Sequence, residues 1–167
     1  MSLLTVYLHL GVVLTFCVVY VYTIECPDAF VSHQGVCYKE FGILANWNEA
    51  KTYCEAYGAD LATVANDRDQ TFLSGYLQRL SSSYFNSGIF WLGGSDQASE
   101  GTWIWDKSQQ QITYTKWKTG EPNNAGKGEN CLTMSFSDNF LWNDNNCAHK
   151  YNFICEVRSS DFSTVVG

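Results

Sequence analysis

"TGEPNNAGKGENC" occupies residues 119–131, and "LWNDNNC" stands at 141–147. The first stretch crowds two carboxylates (Glu121, Glu129), three side-chain amides (Asn123, Asn124, Asn130), three glycines and a proline into thirteen positions. Each oxygen-rich cluster ends in a cysteine. Glu121, Asn123, Glu129, Asn143 and Asp144 offer carboxylate and amide oxygens, with no sulfur or imidazole among them. Hard oxygens in an irregular loop suit Ca2+, which takes about 6–8 oxygen ligands in flexible geometry. Mg2+ demands a tighter octahedron and keeps several waters, so it fits a five-residue cage less well. Asn, Asp, Gly and Pro also make ordinary turns, and composition alone leaves that competing reading open. An EF-hand is excluded, because no D-x-[DN]-x-[DN]-G run is present.

Outward from these loops, short β-like pieces dominate the second half: "IFWLGG", "TWIWD", "CLTMSF" and "YNFICEV". Their aromatic content suits strands packed in a compact core, and Trp91, Trp103, Trp105 and Trp142 are read as core residues. Two helices precede them. "NWNEAKTYCEAYGAD" carries a capping-box pattern in Asn46 and Glu49, with Ala50, Tyr53, Cys54 and Tyr57 on one face and Gly58 as terminator. The second helix runs from Asp67 to about Leu80, capped by Asn66, with Phe72, Leu73, Tyr76, Leu77 and Leu80 inward. Cys26 and Cys37 bracket Gly35 in what reads as a small stapled hairpin.

The chain has 167 residues, room for one domain. Residues 1–24 contain no Lys, Arg, Asp or Glu and read as a secretory signal peptide, leaving a domain over 25–158 and a tail over 159–167. The competing reading is an uncleaved anchor, since about 20 apolar residues suffice to span a bilayer. Against it, Cys26 follows at once and leaves no stalk. A net charge of -7 argues against nucleic acid or an anionic membrane surface as partner. Once Cys17 leaves with the leader, six cysteines remain, which in an exported chain implies a disulfide framework of open connectivity and no intermolecular bridge. No C-x-x-C pair exists and the three histidines are scattered, so zinc chemistry is a poor reading. No nucleophile–base arrangement is legible, and a hydrolase is not expected.

From Cys26 to about Val157 the chain resembles the C-type lectin-like domain in its long form. "WLGG" at 91, "EPN" at 121, Glu129, Cys131, "WND" at 142 and Cys147 stand in that family's order. The resemblance implies an α+β fold of two helices, short antiparallel sheets and a long calcium-binding loop region. It implies the pairs Cys26–Cys37, Cys54–Cys155 and Cys131–Cys147, and a cis Glu121–Pro122 bond. It implies one Ca2+ held by Glu121, Asn123, Glu129, Asn143 and Asp144, whose remaining positions go to two vicinal sugar hydroxyls. A second ion would sit among Asp96, Glu100, Asn124 and Asn130, weakened by the two amides. The implied function is a secreted, calcium-dependent lectin for mannose, fucose or N-acetylglucosamine, with partners among glycans on glycoproteins or microbial surfaces. A protein- or mineral-surface module on the same fold is the alternative.

Overall fold

The computed structural model describes residues 26–80 and 87–158. The expected leader (1–24) and tail (159–167) lie outside the described residues. Helix α1 (Trp47–Ala56) begins at Asn46, whose side chain accepts the Glu49 N–H while the Glu49 carboxylate accepts the Asn46 N–H, both at 2.9 Å. This reciprocal cap satisfies two otherwise orphaned donors. Gly58, at φ 66°, lets the chain turn away from the helix end. Trp47, Ala50 and Cys54 form the buried stripe. Tyr53 and Tyr57, expected on the same face, stay 47% and 52% exposed. Position 53 lies on the flank of that stripe and Tyr57 is already the C-cap, so their rings rest on Phe153 and Phe41 at the surface.

Helix α2 (Asp67–Arg79) starts at Asn66, which accepts the N–H groups of Arg68 and Asp69. Leu73, Tyr76 and Leu77 are buried as the periodicity predicts, with Phe72 and Leu80 partly so. Gln70 is buried as well, a position the apolar pattern does not predict. Its amide donates to Phe140 O and accepts from the Trp142 indole, each at 2.9 Å. A buried amide paired at both ends in this way costs little.

Strands β1 (Val31–His33), β2 (Val36–Ala45), β3 (Asp60–Leu61), β4 (Ile89–Ser95), β5 (Ile104–Trp105), β6 (Cys131–Ser135), β7 (Trp142–Asn145) and β8 (Tyr151–Arg158) form one sheet. Its order is β1-β2-β8-β4-β6-β7, with β3 on β8 and β5 on β4. The pair β4–β8 is parallel and the other strand pairs are antiparallel. The β1–β2 hairpin turns at Gln34 and Gly35, both at positive φ, which matches the twist of tight hairpins. The strands β3 and β7 are not legible in the sequence. β7 spans the "WND" motif, too polar to read as a strand, and forms because β6 pairs with it residue by residue.

Strand β4 is an unbroken apolar run because both its faces are covered. Phe90 and Leu92 pack with α2 and with Trp103, Trp105 and Trp142 in one core. Trp91 points into the other, beside Trp47, Cys54 and Phe153. Burying side chains of this size contributes about 1.5–3 kcal/mol each. Position 93 requires glycine: a Cβ there would sit 2.8 Å from the Leu61 carbonyl oxygen. The disulfides join Cys26 to Cys37, Cys54 to Cys155 and Cys131 to Cys147, the pairing that the resemblance implies. The second spans a sequence separation of 101 residues, and in the chain-entropy model a loop of that length is worth about 4.7 kcal/mol. Among the described residues no helix is long and apolar enough to cross a membrane.

Candidate functional site

The β6–β7 register places Asn143 opposite Thr133 and Asp144 opposite Leu132. Thr133 donates its hydroxyl to Asn143 O at 2.9 Å and accepts from the Asn145 amide at 2.8 Å, fixing the strand's polar edge. The long loop starts beside this strand. Trp117 bridges Trp142, and Lys118 N–H donates to Trp142 O at 2.8 Å. A turn then closes from Glu121 N–H to Lys118 O at 2.9 Å, and the Glu121–Pro122 peptide is cis.

Asp144, only 1% exposed, organises the loop from Asn123 onward. Its two carboxylate oxygens accept the backbone N–H groups of Asn123 (3.2 Å) and Asn124 (2.7 Å). Asn124 occupies the left-handed region at φ 46°, which Asn tolerates better than most residues. Its side chain accepts Glu129 N–H at 3.0 Å and donates to Glu100 at 2.5 Å, while Glu129 accepts Ala125 N–H at 2.9 Å. The Asn143 amide donates to Asp144 O at 2.7 Å, leaving its own carbonyl oxygen for other use.

The carboxyls of this cluster lie close together. Glu121 Oε2 is buried without a hydrogen-bond partner. Its carboxyl faces that of Asp144, with Glu129 adding further negative field, and burial together with these neighbours raises its pKa above the ordinary range. Two ionised carboxylates face to face have no hydrogen to share, so they call for a proton or a cation between them. Among the described residues no three carboxylates, imidazoles or thiolates gather closely enough to hold a metal by themselves. An ion here therefore depends on the amide oxygens of Asn123 and Asn143 as well. The principal donor set fits a hard dication on those terms.

The second set divides. Asp96 and Asn130 meet through Asp96 N–H to Asn130 O at 3.3 Å, and each carries a buried, unpartnered side-chain oxygen. Burial raises the Asp96 pKa, with the charge of Asp144 adding to it. Glu100 and Asn124, in contrast, are joined by one hydrogen bond, from the Asn124 amide to a Glu100 carboxylate oxygen. The resemblance assigns Asn124 only to the second ion. In the structure it is a clamp joining the 96–101 loop, Asp144 and Glu129. Asn followed by Ala-Gly is a weak signal of its left-handed turn, but nothing in the sequence names these partners.

The family model described as Lectin C-type domain matches residues 43–157. The chain is 39% identical over 132 residues to perlucin of Haliotis laevigata, covering 78% of this chain and 82% of that one. It is 34% identical to the C-type lectin mannose-binding isoform of Notechis scutatus scutatus, covering 80% and 84%. Among solved structures, the cow CD23 carbohydrate-recognition domain, determined in the presence of GlcNAc2Man3 oligosaccharide, superposes with a TM-score of 0.71 at 30% identity. That match covers 81% of this chain and 98% of that one. With this likeness of sequence and of fold over most of its length, the chain belongs to the C-type lectin domain family.

Proposed function

We propose that this domain binds glycans through one calcium ion held by Glu121, Asn123, Glu129, Asn143 and Asp144. The observation that carries the proposal is the convergence of the Glu121 and Asp144 carboxyls around a buried, unpartnered Glu121 oxygen. When bound, the ion would accept lone pairs from two vicinal sugar hydroxyls. The chain's own groups complete each hydroxyl: Glu121 accepts the proton of one while Asn123 donates to its oxygen, and Glu129 with Asn143 does the same for the other. An acid before and an amide after Pro122 favour the mannose class, including fucose and N-acetylglucosamine. The names of two relatives support this, one being a mannose-binding isoform and one a domain solved with a mannose-containing oligosaccharide. A further ion beside Asp96 and Asn130 is supported by their unpartnered oxygens, and the Asn124 amide oxygen keeps an acceptor position beyond the one that Glu129 N–H uses. The sugar is assigned to the first set.

As a C-type lectin domain the chain is a binding protein, not an enzyme. The apolar leader and the three disulfides support export, with glycans on glycoproteins or microbial surfaces as partners. One shallow site binds a monosaccharide weakly, so useful avidity requires clustering of sites. The test is retention on immobilised mannose in calcium, release by EDTA, and weaker retention on galactose beads. No retention in calcium would overturn the proposal.

A further inference from the structure

Behind the proposed ligands, a chain of hydrogen bonds runs from β8 through β7 to β6 and back to β7. The Tyr151 hydroxyl donates to Asn145 Oδ1 at 3.3 Å, the Asn145 amide to Thr133 Oγ1 at 2.8 Å, and Thr133 to Asn143 O at 2.9 Å. Every link donates in the same sense, so each polarises the next. Asn145 and Thr133 are only 9% and 1% exposed. An apolar pair of the same shape would serve packing nearly as well, which leaves the polarity itself to be explained. The head of the chain is held firmly. The Tyr151 ring packs on Trp91 with centroids 5.0 Å apart, and Tyr151 pairs with Ala45 of β2, whose carbonyl accepts the Trp91 indole N–H at 2.9 Å. Burial, with the charge of Glu129 adding to it, raises the Tyr151 pKa above its ordinary value, so the hydroxyl keeps its proton and stays a donor. His149 Nδ1 lies 3.3 Å from the same hydroxyl and competes for that proton when it carries the lone pair.

The foot of the chain is Asn143 O, part of the planar 143–144 peptide group. Fixing that oxygen fixes the plane from which Asn143 and Asp144 project. The Asn143 amide is tied at one N–H to Asp144 O at 2.7 Å, which leaves its second N–H for a ligand. We propose that Tyr151, Asn145 and Thr133 are positioning residues for the sugar, aiming that second Asn143 N–H at a sugar hydroxyl. The inference rests on the proposed calcium-dependent site and deepens it, because the chain acts on the sugar more than on the ion. Calcium accepts flexible ligand geometry. A hydrogen bond instead weakens steeply once its angle falls below about 120°. A tilt of the 143–144 peptide is therefore absorbed at the ion and felt at the sugar.

Two titrations on the full chain test this: calcium alone, followed by tryptophan fluorescence, and methyl α-mannoside at saturating calcium, read as inhibition of binding to a mannose-rich glycoprotein. Tyr151→Phe keeps the ring on Trp91 and removes only the donor. It should weaken the mannoside about three- to tenfold, the worth of one hydrogen bond, while calcium affinity and melting temperature hold. Thr133→Val breaks two links and should weaken the mannoside by about tenfold or more. His149→Ala removes the competing acceptor, so mannoside affinity should be equal or higher. Parent-like mannoside affinity in Tyr151→Phe, a parallel fall of calcium and mannoside affinities, or weakened binding in His149→Ala would overturn the inference and leave the calcium site standing. A parent chain that binds no mannoside in calcium would instead overturn the reading of the site, and this inference with it.

Discussion

Replacing Asn124 by Ala removes the clamp of the proposed calcium loop while leaving all five proposed principal ligands in the sequence. Three contributions set the size of the effect. The bond that Glu129 N–H makes to Asn124 Oδ1 at 3.0 Å is lost, a neutral hydrogen bond worth about 1 kcal/mol. The bond to the Glu100 carboxylate at 2.5 Å is charge-assisted, but Glu100 is exposed and water replaces the amide, so it contributes about 0.5 kcal/mol net. Alanine must also adopt the left-handed conformation at φ 46°, at a cost of about 1–2 kcal/mol. Together the ordered loop loses about 2.5–3.5 kcal/mol. If calcium binds only that ordered loop, its affinity falls roughly 70- to 400-fold. Asn124→Asp provides the contrast. It keeps an acceptor for Glu129 N–H but sets a carboxylate against Glu100, a like-charge pair that a second cation would relieve. Titration calorimetry with calcium should therefore show weakened binding for Asn124→Ala and an added, calcium-dependent binding event for Asn124→Asp. Near-ultraviolet circular dichroism should report an intact core in both. Calcium affinity unchanged in Asn124→Ala would refute the claim that this hydrogen-bonded hub orders the site.

Exchanging Glu121→Gln with Asn123→Asp keeps the charge count but reverses donor and acceptor around one sugar hydroxyl, a mismatch of about 1–3 kcal/mol. Calcium affinity should hold while inhibition by mannose weakens and by galactose strengthens; an unaltered mannose preference would remove these residues from the specificity role. Burial is the first cause that raises the pKa of Glu40 and of Glu156 above the ordinary carboxylate range. The folded state then holds these protons more tightly than the unfolded one, so the stability penalty of each is present above its folded pKa and is relieved as pH falls through it. Glu40→Gln keeps an acceptor for the Tyr76 hydroxyl, and melts in chelator should show equal or higher stability at about pH 7 with a flatter profile toward acid; a steeper profile would contradict this sign. Gly93→Ala drives a methyl against a backbone oxygen that has no rotamer to yield, and a loss of about 1–3 kcal/mol is expected in denaturant midpoints. Wild-type stability in that variant would mean that β4 and β3 can separate freely.

The local elements and the inventory of candidate ligands are legible along the chain. Asn46 with Glu49, Asn66 ahead of a periodic run, and "IFWLGG" each carry their signal within a few residues, because capping and strand burial are short-range effects. The order of "EPN", Glu129 and "WND" named the proposed principal donor set through its likeness to a family pattern. Where those groups lie relative to one another depends on contacts between segments far apart in the chain. "WND" is a strand only because β6 lies beside it, and Gln70 is buried only because the Trp142 indole needs an acceptor seventy-two residues away in sequence. Tyr53 and Tyr57 stay at the surface because Cys54 must face Cys155, which fixes the rotation of α1. Asn124, expected from the family resemblance as a ligand of a second ion, also joins Glu100 to Glu129 in the fold, since an amide's two hydrogen-bonding ends are assigned by whichever groups the fold sets against them. Glu156 reads as an ordinary strand residue in the sequence for the same reason: only the pairing of β8 with β3 and the nearby Thr63 N–H and Arg158 bury and partner its carboxylate.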